Sequence, residues 1–130
     1  MREPGHELDD LAHRVIGAAI AVHRELGPGY LEAVYEEALA IELRHEGIAF
    51  ERQKPIPLVY RGQTLAKSHR LDLLIENKLI VELKACERFE PIHQATVLSY
   101  LKATGLELGL LINFQVPVLK DGLKRIIRTR

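Results

Sequence analysis

The sequence predicts a mixed α/β fold, an α+β arrangement in which helices cover a central mixed sheet. Hydrophobic patterns run helix, helix, several strands, helix, strand along the chain, an order that suits one sheet with helices laid on it. Of the 130 residues, 47% are hydrophobic, enough for a sizeable core and too many for a disordered chain. The run "LELGLLINF", Leu106 to Phe114, is apolar almost throughout and reads as a strand packed on both faces. The length fits one domain, 1–130, around a single core.

Each element has its own signal. Leu8, Leu11, Ala12, Val15, Ile16, Ala19, Ile20, His23 and Leu26 recur at helical spacing, which predicts one amphipathic helix. It stops at "GPG", Gly27 to Gly29, because Gly and Pro break helices. A second helix runs from about Leu31 to His45 and ends before Gly47, a natural C-terminal cap. "IAFERQKPIPLVY" reads as strand, with Pro55 and Pro57 marking an edge or a bend. "YRGQ" is a turn, and "TLAKSHRLDLLI" leads into a hairpin of Leu71–Ile75 and Leu79–Leu83 around Glu76-Asn77-Lys78, where Asn tolerates positive φ. Pro91 opens a third helix, Ile92 to Ala103, which Gly105 closes. "KDG" is a turn, and the tail Leu123–Arg128 suits a strand or a short helix.

The formal net charge is zero, which argues against a strongly basic coat for non-specific nucleic-acid binding but leaves room for a local basic patch. Lys120, Lys124, Arg125, Arg128 and Arg130 make the C-terminus basic against Asp121, while Glu3, Glu7, Asp9 and Asp10 make the other end acidic. Cys86 is the only cysteine, so an intrachain disulfide and a cysteine-based zinc or iron–sulfur site are excluded. No apolar run reaches the ~20 residues of a bilayer span, and the amino terminus lacks a signal-peptide pattern. A soluble cytoplasmic protein without a membrane partner is expected.

The hairpin carries the strongest chemical signal. If Ile75 pairs with Leu79, Asp72 lies opposite Glu82, and period-two geometry puts Lys84 on the face of Glu82. Opposed side chains have Cβ atoms ~5 Å apart, and like charges there are destabilising. Two convergent carboxylates are hard oxygen ligands suited to Mg²⁺, and a lysine beside them can hold a water or neutralise charge on a phosphate. On E-x-K alone, a solvated strand face with a Glu–Lys pair is the better reading. Asp72, facing it from an otherwise apolar strand, moves the balance toward a site.

Glu32 falls on a stripe with Tyr35, Leu39 and Leu43, so this acid continues an apolar helix face. A favourable place in the first helical turn explains it equally well. His93, Thr96, Val97 and Tyr100 share one face of the third helix, where a buried tyrosine with a satisfied hydroxyl is the plain alternative to a substrate contact. His69 and Arg70 precede Asp72 and could reach a phosphate, or simply be exposed. His23 reads as a hydrogen-bonded core histidine, and Cys86 as a small packed side chain.

"GYLEAVY", Gly29 to Tyr35, matches G-x-x-E-x-x-Y, and the chain resembles the GxxExxY family within the PD-(D/E)XK nuclease superfamily, in its RecB-like and lambda-exonuclease-like branch. The resemblance extends through "AAIAVHRELGPGYLEAVYEEALAIEL", "LDLLIENKLIVELKA", "YLKATG" and "LLINF". It implies a restriction-endonuclease-like core with a Mg²⁺ (or Mn²⁺) centre. By that resemblance Asp72 is the motif aspartate and Glu82 and Lys84 are the E-x-K. Glu32 is the acid that the amino-terminal helix brings to the metal site, Tyr35 its partner in that motif, and Asp72, Glu82, Glu32 and the Leu83 carbonyl the implied metal ligands. Tyr100 matches the tyrosine of a helical Q-x-x-x-Y, but Thr96 stands at the glutamine position, and Gln94 points elsewhere on the helix. Asp72, Glu82, Lys84 and Glu32 are thus the implied catalytic set, and Tyr100, Thr96, Tyr35 and Arg70 the substrate contacts.

Two functions follow. One is a metal-dependent nuclease acting on nucleic acid, DNA before RNA. The other is a binding or scaffold module that keeps the fold and turns over little or nothing; Thr96 and the zero net charge favour it. Retention of Asp72, Glu82 and Lys84 opposes it, since an unpaired charge cluster is costly once its task is gone. A homo-oligomer or a partner protein is left open.

Overall fold

A computed structural model describes residues 5–129; Glu3 and Arg130, counted above among the terminal charges, lie outside them. The chain runs α1 (His6–Leu26), α2 (Glu32–His45), β1 (Phe50–Ile56), β2 (Val59–Tyr60), β3 (Gln63–Thr64), β4 (His69–Ile75), β5 (Leu79–Lys84), α3 (Pro91–Thr104), β6 (Leu108–Asn113) and β7 (Leu123–Ile127). Five strands form one mixed sheet in the order β1-β4-β5-β6-β7, and β2 and β3 form a separate hairpin. Only the β5–β6 pairing is parallel, because α3 serves as the crossover that a parallel pair needs. The tail left open by the sequence is a strand, preceded by a short 3₁₀ turn at Leu119–Gly122 where "KDG" stood.

Side-chain alternation sorts the core into two layers. Leu79, Val81 and Leu83 of β5 and Leu108, Leu110 and Ile112 of β6 join Val15, Ala19, Tyr35 and Leu39 of α1 and α2. Ile80 and Leu111, on the other face, join Val97, Tyr100 and Leu101 of α3. β6 is buried along its whole length, as its unbroken apolar run requires. A Cβ on Gly109 would lie 2.6 Å from Val97 Cγ1, so α3 rests directly on the β6 backbone. The helix itself is anchored by a capping box between Glu90 and His93 and by the Gly105 N–H bonding Leu101 O.

β4 departs from regular strand geometry at one residue. Its pairing with β1 is present on both sides of Gln53 and Asp72 but absent between them, and Gln53 adopts φ 50°, uncommon for a residue with a Cβ. Leu71 packs in the α3 layer and Leu73 in the α1–α2 layer, although residues two apart in a regular strand share a face. β4 therefore kinks at Asp72.

Candidate active site

The hairpin register is the one the sequence implies: Ile75 pairs with Leu79, Leu74 with Ile80 and Leu73 with Val81. One step further, where Asp72 and Glu82 would meet, backbone pairing stops. Side chains replace it. The Asp72 N–H donates to Glu82 Oε2 at 2.7 Å, and the Leu83 N–H donates to Asp72 Oδ2 at 2.8 Å. Each carboxylate thus reaches across to the facing strand and fills the gap between them. A residue's N–H and C=O point to the same side of a strand, so the Leu83 carbonyl opens on that same gap.

Burial makes this arrangement electrostatically tense. Glu82 is only 5% exposed. Desolvation, followed by the charge of Asp72, pushes its pKa up to about 8, against the lowering effect of the Asp72 N–H and of Lys84. Asp72 is also raised, first by burial and then by the charges of Glu36 and Glu32, while the Leu83 N–H and Lys84 pull it down. Backbone donors and one half-buried lysine do not outweigh desolvation; a cation in the gap would.

Beyond this pair opens a cavity of about 50 Å³, lined by Glu82, Lys84, His93, Thr96, Val97, Tyr100 and Leu111. The α3 face read from the sequence is therefore the wall of this cleft. Tyr100 is nearly buried, its hydroxyl lies 3.3 Å from His69 Nδ1, and its pKa is raised by burial and then by the charges of Glu82 and Asp72. The Thr96 hydroxyl donates to Ile92 O at 2.8 Å within its own helix, so it is turned back from the cleft. His93 Nδ1 accepts the Glu90 N–H at 3.0 Å, which leaves Nε2 as the ring's available nitrogen.

The remaining candidates are placed less uniformly. Glu32 is exposed at the start of α2, near enough for its charge to act on Asp72. Tyr35 needs correction as a substrate contact. It is fully buried, stacked on Phe114 with ring centroids 4.4 Å apart, and its hydroxyl donates to Gly27 O at 2.6 Å. Its hydroxyl also accepts the Tyr30 N–H, so Tyr35 holds the loop before α2. Within that loop Gly29 has φ 116°, a conformation that L side chains rarely adopt, and its N–H donates to Gln115. Arg70 is exposed two residues before Asp72 and does not line the cleft. His23 is a core histidine whose Nε2 lies 2.8 Å from Val116 O. Cys86 is half-buried rather than packed away, and its thiol donates to Arg88 O.

Sequence reasoning missed Glu36. This acid, one turn beyond Glu32, is 7% exposed. It accepts bonds from Arg52 Nε at 3.1 Å and Gln53 Nε2 at 2.7 Å, and the same Gln53 nitrogen lies 3.5 Å from Asp72 Oδ1. Two acids at i,i+4 repel along a helix, and that pairing was the available signal. Among the described residues no group of three or more His, Cys, Asp or Glu side chains is gathered closely enough to hold a metal ion. The donors at the gap are two carboxylates and a carbonyl, all hard oxygens. That set fits Mg²⁺, which keeps several waters and uses one or two carboxylates.

A family model described as the PD-(D/E)XK nuclease superfamily matches residues 9–126. The chain belongs to that superfamily. Among solved structures, the one titled "Crystal structure of SSO0001" superimposes with a TM-score of 0.58 at 18% identity, over 76% of this chain and 51% of that one. The likeness is one of fold, and the match spans about half the length of that protein. No curated protein matches the chain. No described helix is long and apolar enough to cross a membrane.

Proposed function

We propose that this superfamily member is a phosphodiester hydrolase that cuts DNA with Mg²⁺ or Mn²⁺, in the GxxExxY group and the RecB-like, lambda-exonuclease-like branch. The observation that carries the reading is the gap between β4 and β5, where the buried Glu82 and half-buried Asp72 carboxylates stand in for backbone pairing. Glu82 and Asp72 are held there at a desolvation cost that a purely structural hairpin would avoid with apolar residues.

In this reading Asp72, Glu82 and the Leu83 carbonyl hold the ion. When bound, it would supply a water of lowered pKa and positive charge beside the phosphate. Glu32, exposed at the start of α2, would position a second ion or a metal-bound water, while Glu36 is held by Arg52 and Gln53. The Lys84 ammonium, on the wall of the cleft, holds the attacking water or neutralises charge that builds on the phosphate oxygens. Tyr100, Thr96 and Arg70 contact substrate, and Tyr35 acts by fixing the loop that starts α2. A cytoplasmic location is part of the same proposal.

Incubation with labelled linear, circular and single-stranded DNA in Mg²⁺, Mn²⁺ or EDTA tests this. Cleavage in either metal and none in EDTA is expected. The second reading, a binding module with little turnover, is favoured by the Thr96 hydroxyl being spent within its own helix. Binding without cleavage of any DNA or RNA, in either metal, would replace the first reading with the second.

A further inference from the structure

Between Glu51 and Asp72 the chain has twenty residues with five Lys or Arg and no Asp or Glu, in a protein whose 18 basic and 18 acidic residues otherwise balance. Among the described residues, Arg52 is ion-paired with Glu36 and Lys54 with Glu51, while Arg61, Lys67 and Arg70 carry no ion pair. All three are exposed. Arg61 sits in the turn of the β2–β3 hairpin and Lys67 and Arg70 follow it; the hairpin belongs to no layer of the core and turns at Arg61 and Gly62 with φ 51° and 78°. On this same arm Val59 is 63% exposed, Tyr60 66% and Leu65 44%. An arm that needed only to be soluble would not combine unpaired cations with a bare tyrosine.

The arm is continuous with the site. Ile56 pairs with His69, closing the base of the arm, and His69 is three residues from Asp72, ~10 Å along a strand. His69 Nδ1 also lies 3.3 Å from the Tyr100 hydroxyl at the wall of the cleft. Past the kink at Asp72, β4 pairs only with β1, so this ribbon projects beyond the carboxylates toward whatever enters them.

We propose that the β2–β3 arm grips an unpaired stretch of the nucleic-acid substrate, an inference that rests on the nucleic-acid reading above. Tyr60 stacks on a base, and Arg61, Lys67 and Arg70 follow the phosphates into the cleft. Cations without acids are complementary to a polyanion. A base inside a duplex has both faces covered by its neighbours, so an aromatic platform selects single strands, overhangs or frayed ends. The substrate class is therefore nucleic acid with a single-stranded segment at the cut.

The test is fluorescence anisotropy in EDTA, where cleavage is off, with one labelled oligonucleotide offered single-stranded and as a blunt duplex. Tighter binding of the single strand is expected. Tyr60→Ala should weaken it about tenfold, as lost base stacking does, while Tyr60→Phe should stay within about twofold. Arg61→Ala should reduce the slope of log affinity against log salt by about 0.7. Melting curves of each variant show that the fold is kept. Equal affinity for blunt duplex, or wild-type single-strand affinity in Tyr60→Ala, overturns the proposal. So does a wild-type dimer that Tyr60→Ala dissociates without any effect on DNA, because the arm would then serve a second copy. Arm-dependent binding with no cleavage in any metal would leave this proposal standing and remove hydrolysis; cleavage indifferent to Tyr60 would do the reverse.

Discussion

The two ends of the β4–β5 hairpin use opposite chemistry on the same pair of strands. At the turn, Leu73, Ile75, Leu79 and Val81 are fully buried and their backbones pair in register. At the open end, Asp72 and Glu82 accept the backbone N–H groups that pairing would have used. The first half supplies stability through apolar burial; the second forgoes it to keep two carboxylates together. Changes at one end should therefore leave the property of the other intact.

The largest expected effect is at the stable end. Leu79→Ala should cost about 2–5 kcal/mol, seen as a lower urea midpoint, while any rise in melting temperature on adding Mn²⁺ persists. Loss of that response along with stability would show that the two ends are not separable. Next comes Lys84→Ala, expected to reduce cleavage by at least about a hundredfold, the scale for removing one transition-state charge partner, with melting temperature and metal response preserved. Full retention of cleavage would remove Lys84 from the chemistry.

A third expectation concerns pH in metal-free protein. Glu82 rises from 4.5 to about 8 on folding, so between those values the native state binds more protons than the unfolded one. Its favourable contribution is complete below the unfolded pKa and is lost as pH rises through the folded one. Asp72 shifts in the same direction. Stability should therefore fall from about pH 5 to pH 8, with a slope of at most ~1.4 kcal/mol per pH unit for one proton. Glu82→Gln should flatten that slope; an unchanged slope would place the titration elsewhere. The smallest effect is expected from Thr96→Gln, where a longer amide could reach the cleft that the threonine hydroxyl turns away from. It should improve kcat/KM by the worth of one hydrogen bond, roughly 0.5–1.5 kcal/mol, and leave metal affinity alone. A tenfold fall would mean that Thr96 is fitted to some other task.

This contrast also marks what the sequence could disclose. The hairpin register, the α3 face and the buried strand were legible because period-two and helical patterns report which side of an element is apolar. The kink at Asp72 was not, since it depends on the positive φ of Gln53, and glutamine gives no local warning of that conformation. Glu36 left only the weak signal of its i,i+4 spacing from Glu32. A glutamate on a helix reads as solvent-facing until Arg52 and Gln53, from another element, are seen to meet it. Tyr35 failed as a substrate contact because a motif spacing reports residue identity and not which way the ring lies.

The bare backbone at Gly109 has a consequence for how the cleft could diversify. Since a Val97 methyl of α3 sits directly on the Gly109 backbone of β6, the helix that carries His93, Thr96 and Tyr100 makes its tightest approach to the sheet at that strand. Its neighbour β5 carries Glu82 and Lys84. The α3 wall of the cleft is thus spaced from the strand beside that carboxylate by a single methyl's thickness. A residue larger than glycine at 109 would act as a shim. In the proposed enzyme it would lift the α3 wall away from the carboxylate pair and change the width of the cleft before it changed the pair itself.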